Sequence, residues 1–228
     1  MKVSSPPYRA LTFPSKDGLL ITADYYPVAN HKGVIVLCHR SHCNRGEYRE
    51  TAPRLNHFGF SCLAIDQRSG MDIFGERNET KKRAKEKELP TGYRDAKPDI
   101  EAAIDYAFEL NEKKPVILFG SSYSASLALL IAAKSERVRA VIGFSPGEYL
   151  KGIDLADQIK SIRIPVFATS PKKEINQVSN VVKHINKKYV THFKPEAEGF
   201  HGSKTLWKSV KGFETFWKPL EQFIKKNK

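Results

Sequence analysis

Residues 115–134, PVILFGSSYSASLALLIAAK, read as strand, sharp turn and helix. Val116, Ile117, Leu118 and Phe119 form an apolar run with no polar alternation, as expected of a strand buried on both faces of a parallel sheet. Lys113, Lys114 and Pro115 mark its start. Beyond Ser124, the small and apolar residues Ala125, Leu127, Ala128, Leu129, Ile131, Ala132 and Ala133 wrap most of a helix surface, so this helix is expected to be largely buried against the sheet.

Between strand and helix stands Gly120-Ser121-Ser122-Tyr123-Ser124, a small-x-Ser-x-small pentapeptide of nucleophile-elbow type. A strained backbone at the nucleophile brings strand end and helix start into near contact, so the residues two before and two after it must be small. Gly120 and Ser124 meet that demand around Ser122. Centring the motif on Ser121 would crowd it with Phe119 and Tyr123, and centring it on Ser124 would bury the nucleophile in the helix. The plainer reading of the same residues is a serine-rich helix cap after a strand.

Working outward, residues 9–28 read as two strands joined through Lys16-Asp17-Gly18, with an alternation that predicts a partly exposed antiparallel edge. Residues 34–38 are a second buried strand, ending in the polar loop His39-Arg40-Ser41-His42-Cys43-Asn44. A helix over 47–58 follows, stopped by Gly59. Residues 60–66 are the next strand. Residues 71–94 show no clear period and carry the charged run Lys81-Lys82-Arg83-Ala84-Lys85-Glu86-Lys87-Glu88, which predicts an excursion above the sheet, mobile in part, and a small lid. An amphipathic helix spans 95–111, strands are expected at 138–144, 166–169 and 189–193, and a helix at 178–186. A last helix over 204–226 turns Phe213, Phe216, Leu220 and Phe223 inward. Strands alternating with helices at this spacing imply an α/β fold with a parallel sheet covered on both faces.

At 228 residues the chain suits one domain, 1–228. No run approaches the roughly 18 apolar residues of a membrane span, and residues 1–18 hold no apolar core of signal-peptide type. Three cysteines, an odd number, with Cys38 and Cys62 in apolar strands, point to buried thiols and a reducing cytoplasm. The net charge of +13 lies mostly in residues 151–228, but its lysines are dispersed over helix faces without interleaved stacking aromatics. A solvated surface is therefore expected, with no nucleic-acid or membrane partner. A monomer or homodimer acting on a small molecule is the expected state.

In an open α/β sheet the chemistry lies beyond the carboxyl ends of the strands, so partners for Ser122 are sought in the loops there. His201, in Gly199-Phe200-His201-Gly202, is the candidate general base, since flanking glycines let the backbone turn and present the imidazole. His31, His57, His184 and His192 lack both the loop position and the glycines. The orienting carboxylate is Glu174, after the 166–169 strand, where chain order expects it, or its rival Glu148, after the preceding strand. Donors for an oxyanion are expected from the backbone of Tyr123 and from Ser41, with Arg40 and His39 as substrate contacts, Arg40 serving otherwise as a loop anchor and His39 as a structural loop histidine rather than a second base. The readings open on residues alone are a serine hydrolase of small esters, lactones or thioesters, and a non-catalytic scaffold used for binding.

Cys38-His39-Arg40-Ser41, Ile65-Asp66-Gln67-Arg68-Ser69-Gly70, the elbow pentapeptide and Gly199-Phe200-His201-Gly202 together resemble the α/β-hydrolases, and within them the dienelactone-hydrolase-like branch. The resemblance covers nearly the whole chain from Leu11 onward. It implies a mostly parallel sheet of eight strands, a Ser, acid, His triad free of metal and cofactor, and hydrolysis of esters or related acyl compounds. Four positions depart from the family pattern. Arg40 stands where the fold has glycine, Ser124 where the elbow has its last glycine, Ser122 where dienelactone hydrolases proper have cysteine, and the acid is Glu rather than Asp.

Overall fold

The computed structural model describes residues 7–227. Residues 1–6, which begin the stretch read as lacking a signal core, and residue 228 lie outside the described residues. In chain order the elements are β1 (Arg9–Pro14), β2 (Leu20–Tyr26), β3 (Val34–Cys38), α1 (Thr51–His57), β4 (Ser61–Ile65), α2 (Glu79–Glu86), α3 (Lys97–Leu110) and β5 (Val116–Ser121). They continue with α4 (Tyr123–Ala132), β6 (Val138–Phe144), α5 (Leu155–Gln158), β7 (Val166–Thr169), α6 (Ile175–Val182), β8 (Val190–His192) and α7 (Phe213–Lys226).

The eight strands form one sheet in the order β1-β2-β4-β3-β5-β6-β7-β8. β2 runs antiparallel to both β1 and β4, and every other pairing is parallel. This is the mostly parallel α/β architecture expected from the alternation of apolar runs and amphipathic helices.

Why the strands lack polar alternation is visible in the packing. Val34, Val36 and Cys38 of β3 face a core shared with α3 and α4, while Ile35 and Leu37 face a second core with α1 and α7. With apolar helices on both faces, each side chain of the strand is buried whichever way it points. Cys38, Cys43 and Cys62 are all buried, unbridged thiols, and burial pushes all three well above the ordinary thiol range.

Several boundaries differ from the sequence reading, each for a local reason. β2 is buried along nearly its whole length, because β1 pairs with one edge and α2 packs upon it; of these two strands only β1 lies at an exposed edge. The 47–58 region divides into a short turn, Arg45–Tyr48, and α1, which ends where Gly59 adopts a left-handed conformation (φ 91°). α7 begins at Phe213, not near 204, because Gly212 (φ 79°) breaks the helical path and Gly202–Leu206 are spent on a separate turn beside His201.

The 71–94 excursion contains a helix that sequence periodicity does not show. α2 is eight residues long and buries only Thr80 and Ala84 within a run of charge. The Asn78 side chain caps it by accepting from the Lys81 N–H at 2.8 Å. The Thr80 hydroxyl accepts the backbone N–H of Thr22 at 2.9 Å, fastening the helix to β2.

Candidate active site

β5 and α4 meet at Ser122, whose φ of 61° and ψ of −127° lie outside the regions an L-residue ordinarily occupies. The strain is held by the surroundings: the Ser122 N–H donates to the Phe144 carbonyl at 2.8 Å, and its own carbonyl accepts from Ala125 at 2.9 Å. Gly120 is required here, since a Cβ would stand 2.5 Å from the backbone nitrogen of Ala125. Ser124, in the other small position, does more than avoid a clash. Its hydroxyl lies 2.8 Å from the Cys38 carbonyl and 2.7 Å from that of His39, and it accepts the Ser121 N–H at 3.2 Å, tying the elbow to the end of β3.

The carboxyl edge of the sheet brings Ser122, His201 and Glu174 together. The His201 Nε2 lies 2.7 Å from the Ser122 Oγ, and its Nδ1 lies 3.0 Å from both carboxylate oxygens of Glu174. With the proton on Nδ1 donated to the carboxylate, Nε2 is left as acceptor for the serine hydroxyl, so one neutral tautomer satisfies both contacts. Gly202 is needed beside it: its φ is 72°, and a Cβ there would collide with the Ser121 hydroxyl. Burial raises the Glu174 pKa, but hydrogen bonds from His201 and Ser145 outweigh it, and the net shift is downward.

Glu148 is placed elsewhere. It is exposed, and its Oε2 accepts the Leu155 N–H at 3.0 Å, closing the 149–154 loop. Ser145, in the same loop, accepts the Gly202 N–H at 3.0 Å and so holds the histidine loop against the end of β6.

His39, expected as a substrate contact, is a correction. It is fully buried, with the Gln67 N–H donating to its Nε2 at 3.0 Å and its Nδ1 2.8 Å from the Arg40 carbonyl. Both ring nitrogens are therefore taken up by backbone, and burial holds its pKa down at about 4. Its effect on the site is indirect. Because a trans peptide points its C=O and N–H in opposite directions, fixing the Arg40 carbonyl toward His39 fixes the Ser41 N–H away from it. Arg40 is half-buried, its side chain running past Gly202. Tyr123 leads α4, so its N–H has no acceptor within the helix. Its ring is buried, stacks on Tyr93 at 4.4 Å, and its hydroxyl meets Gln67 at 2.6 Å and Ser69 at 2.5 Å.

Tyr149 is the residue the sequence reading missed. Its ring stands edge-on to His201 (centroids 6.4 Å apart, planes at 88°), and its hydroxyl accepts from Gln177 at 2.7 Å. Burial raises its pKa, partly offset by the hydrogen bond from Gln177. Tyr149 directly follows Glu148, so the position after β6 that nominates that carboxylate points to this aromatic equally. A groove of about 1830 Å³ runs between α3, α4 and the 149–154 loop, and Tyr149 lines it. Ser122, His201 and Glu174 do not, and Ser122 is itself only 4% exposed.

A family model described as "Serine aminopeptidase, S33" (Hydrolase_4) matches residues 29–223. The chain belongs to this family of α/β-hydrolases. Among the curated proteins, none matches the sequence. Solved structures similar to this hydrolase include the Pyrococcus furiosus esterase Pf2001, with a TM-score of 0.74 and 16% identity over 96% of this chain and 92% of that one. A dienelactone hydrolase from Anabaena variabilis gives a TM-score of 0.72 at 14% identity, covering 97% and 98% of the two chains. The α/β hydrolase GrgF from Penicillium gives 0.73 at 13% identity, covering 97% and 99%. At these identities the likeness is one of fold. Among the described residues no cluster of three or more His, Cys, Asp or Glu side chains is arranged to hold a metal ion, and no helix is long and apolar enough to cross a membrane.

Proposed function

We propose that this chain is a serine hydrolase that cleaves small carboxylic esters, lactones or thioesters through an acyl-enzyme on Ser122. The observation that carries the reading is the unbroken series from the Ser122 hydroxyl to His201 at 2.7 Å and from His201 to the Glu174 carboxylate at 3.0 Å. In the first half-reaction, Ser122 Oγ attacks the substrate carbonyl while its proton passes to His201 Nε2. Glu174 stabilises the imidazolium that forms. The carbonyl electrons collect on oxygen, where the N–H groups of Tyr123 and Ser41 serve as donors. Collapse of the tetrahedral adduct expels the alcohol or thiol, which takes its proton from His201, and water then repeats the sequence to release the acid. Arg40, whose side chain runs past Gly202, serves as a substrate contact.

The lowered pKa of Glu174 supports the role given to it, because it keeps the acid ionised when His201 becomes a cation. The names of the similar structures, an esterase and a dienelactone hydrolase, agree with acyl hydrolysis. A fluorophosphonate probe is expected to label Ser122, and p-nitrophenyl esters of increasing acyl length are expected to be turned over with a preference for short chains. Labelling that persists unchanged in Ser122→Ala would overturn Ser122 as the nucleophile, and an absence of both labelling and turnover would overturn the reading in favour of a binding scaffold.

A further inference from the structure

Glu47 is fully buried and takes no part in the reaction proposed above. Its carboxylate nevertheless meets three separate segments of the site. Oε2 accepts the backbone N–H of Arg40 at 2.8 Å, and Oε1 accepts the hydroxyls of Ser121 at 2.8 Å and Ser203 at 2.5 Å. The direction of these bonds is fixed by elimination. The Ser203 N–H can only donate, and it donates to the Ser121 Oγ at 2.8 Å, so the single proton of that hydroxyl is left for Glu47. A carboxylate, which only accepts, suits this convergence of donors.

Each segment stands next to a member of the site. Arg40 immediately precedes Ser41, Ser121 immediately precedes Ser122, and Ser203 lies two residues past His201. In the chain these donors lie 7, 74 and 156 residues from Glu47. Glu47 itself sits on a braced turn. The Arg45 N–H and guanidinium bond Asp66 at 3.0 and 2.6 Å, Tyr48 donates to the Cys38 carbonyl at 2.7 Å, and Trp207 Nε1 donates to the Glu47 carbonyl at 2.9 Å.

We infer that Glu47 is a positioning residue that sets the spacing between the oxyanion loop, the nucleophile elbow and the His201 loop. This assignment rests on the hydrolase reading of the same site. Glu47 never meets substrate; it acts through Arg40, Ser121 and Ser203. Misplacing a reacting group by about 1 Å costs up to about a hundredfold in turnover, while binding of the ground-state ester depends little on that alignment. The expected signature is therefore a fall in kcat at nearly constant KM.

The test compares wild type with Glu47→Gln, Ser203→Ala and their combination, with kcat and KM on a p-nitrophenyl ester, affinity for a boronic acid that mimics the tetrahedral adduct, and thermal unfolding as a control. A folded Glu47→Gln is expected to lose about ten- to a hundredfold in kcat, to change KM by less than about threefold, and to weaken the boronic acid in proportion to kcat. Ser203→Ala is expected to lose about tenfold, and the combination less than the product, because the two share a hydrogen bond. Glu50→Gln, which removes a neighbouring carboxylate that accepts only the exposed Lys208 N–H, is expected to keep wild-type kcat; an equal loss there would overturn the assignment. If Glu47→Gln does not fold, Ser203→Ala decides, and wild-type kcat in that variant overturns the proposal. An active wild type with an equally active, folded Glu47→Gln rejects the role of Glu47 alone. A wild type that neither labels at Ser122 nor turns over ester rejects the hydrolase reading and this role with it.

Discussion

His39 and His201 both stand at the carboxyl edge of the same sheet, in loops that lead away from strands, and they share nothing else of consequence. His39 follows β3 directly and is sealed beneath the loop, each ring nitrogen engaged by backbone. His201 is half-exposed at the end of a glycine-flanked turn, with a serine hydroxyl on one nitrogen and a carboxylate on the other. The first arrangement consumes the imidazole's capacity to move a proton, because neither nitrogen can change partner without breaking the loop. The second leaves a proton free to pass from serine to imidazole and a negative charge ready to stabilise the result. Position beyond a strand is therefore a weak guide to a histidine's chemistry, and the identity of its two hydrogen-bond partners is a strong one.

The comparison breaks most sharply if the two residues are exchanged for glutamine in turn. His201→Gln should remove nearly all turnover, on the order of ten-thousandfold as in other triads, with the unfolding midpoint close to wild type. His39→Gln can keep an acceptor for the Gln67 N–H through its amide and should lose no more than about tenfold, the worth of one weakened hydrogen bond. Steady-state kinetics on one ester, with circular dichroism on each variant, measures both; comparable losses would dissolve the distinction.

The carboxylates provide the next test. Glu174→Gln should lower kcat by up to about ten-thousandfold, since the imidazole loses its orienting acceptor and its cation its counter-charge. Glu148→Gln should leave kcat within a few-fold, because it removes only one acceptor for the Leu155 N–H. A folded but inactive Glu148→Gln beside an active Glu174→Gln would move the acid to the loop after β6.

Acid should separate the buried histidine from the rest of the molecule. His39 has a folded-state pKa of about 4 against about 6.5 unfolded. Its folded pKa is depressed, so below about 6.5 the unfolded chain takes up a proton the native state refuses. The stability His39 contributes is complete above that value and is lost as pH falls toward 4, by about 3 kcal/mol. Asp66 and Asp99, each raised to about 6 by burial, act in the opposite sense over an overlapping range. They are common to wild type and His39→Gln, so they cancel in the difference. Urea unfolding from pH 7 to 4 should show the variant losing less stability than wild type, and parallel curves would mean that His39 is not held neutral.

The smallest effect is expected at Tyr149. Tyr149→Phe keeps the ring against His201 and removes only the hydroxyl, which should cost about two- to tenfold in kcat. A loss approaching that of His201→Gln would show that the hydroxyl takes part in the proton transfers.

The legible parts of this molecule share a physical cause. The elbow could be centred on Ser122 because strand and helix must nearly touch there, and only the sizes of residues 120 and 124 permit it. β3, β5, β6 and β7 were legible because burial on both faces leaves an uninterrupted apolar run. α2 was hidden because a short helix packed on β2 needs only two buried side chains, too few to set up a period within a run of charge. β2 was misread as an exposed edge because its burial is supplied by β1 and α2, which its own alternation does not record.

By itself the sequence determined the class of fold, the place of the elbow and the loop that carries His201, all consequences of local volume, polarity and backbone freedom. Which carboxylate meets His201, that His39 is sealed away, and that Glu47 joins three loops were decided only by the tertiary structure. Glu174 and Glu148 lie in comparable loops after adjacent strands, and nothing local distinguishes them. What separates them is the path of each loop over the sheet edge, which brings the Glu174 carboxylate 3.0 Å from the imidazole and turns the Glu148 carboxylate to a backbone N–H of its own loop. A hydrogen bond between residues 27 or 156 positions apart, as at Glu174 with His201 and Glu47 with Ser203, depends on how the whole sheet stacks its strands, and no short stretch of chain encodes that.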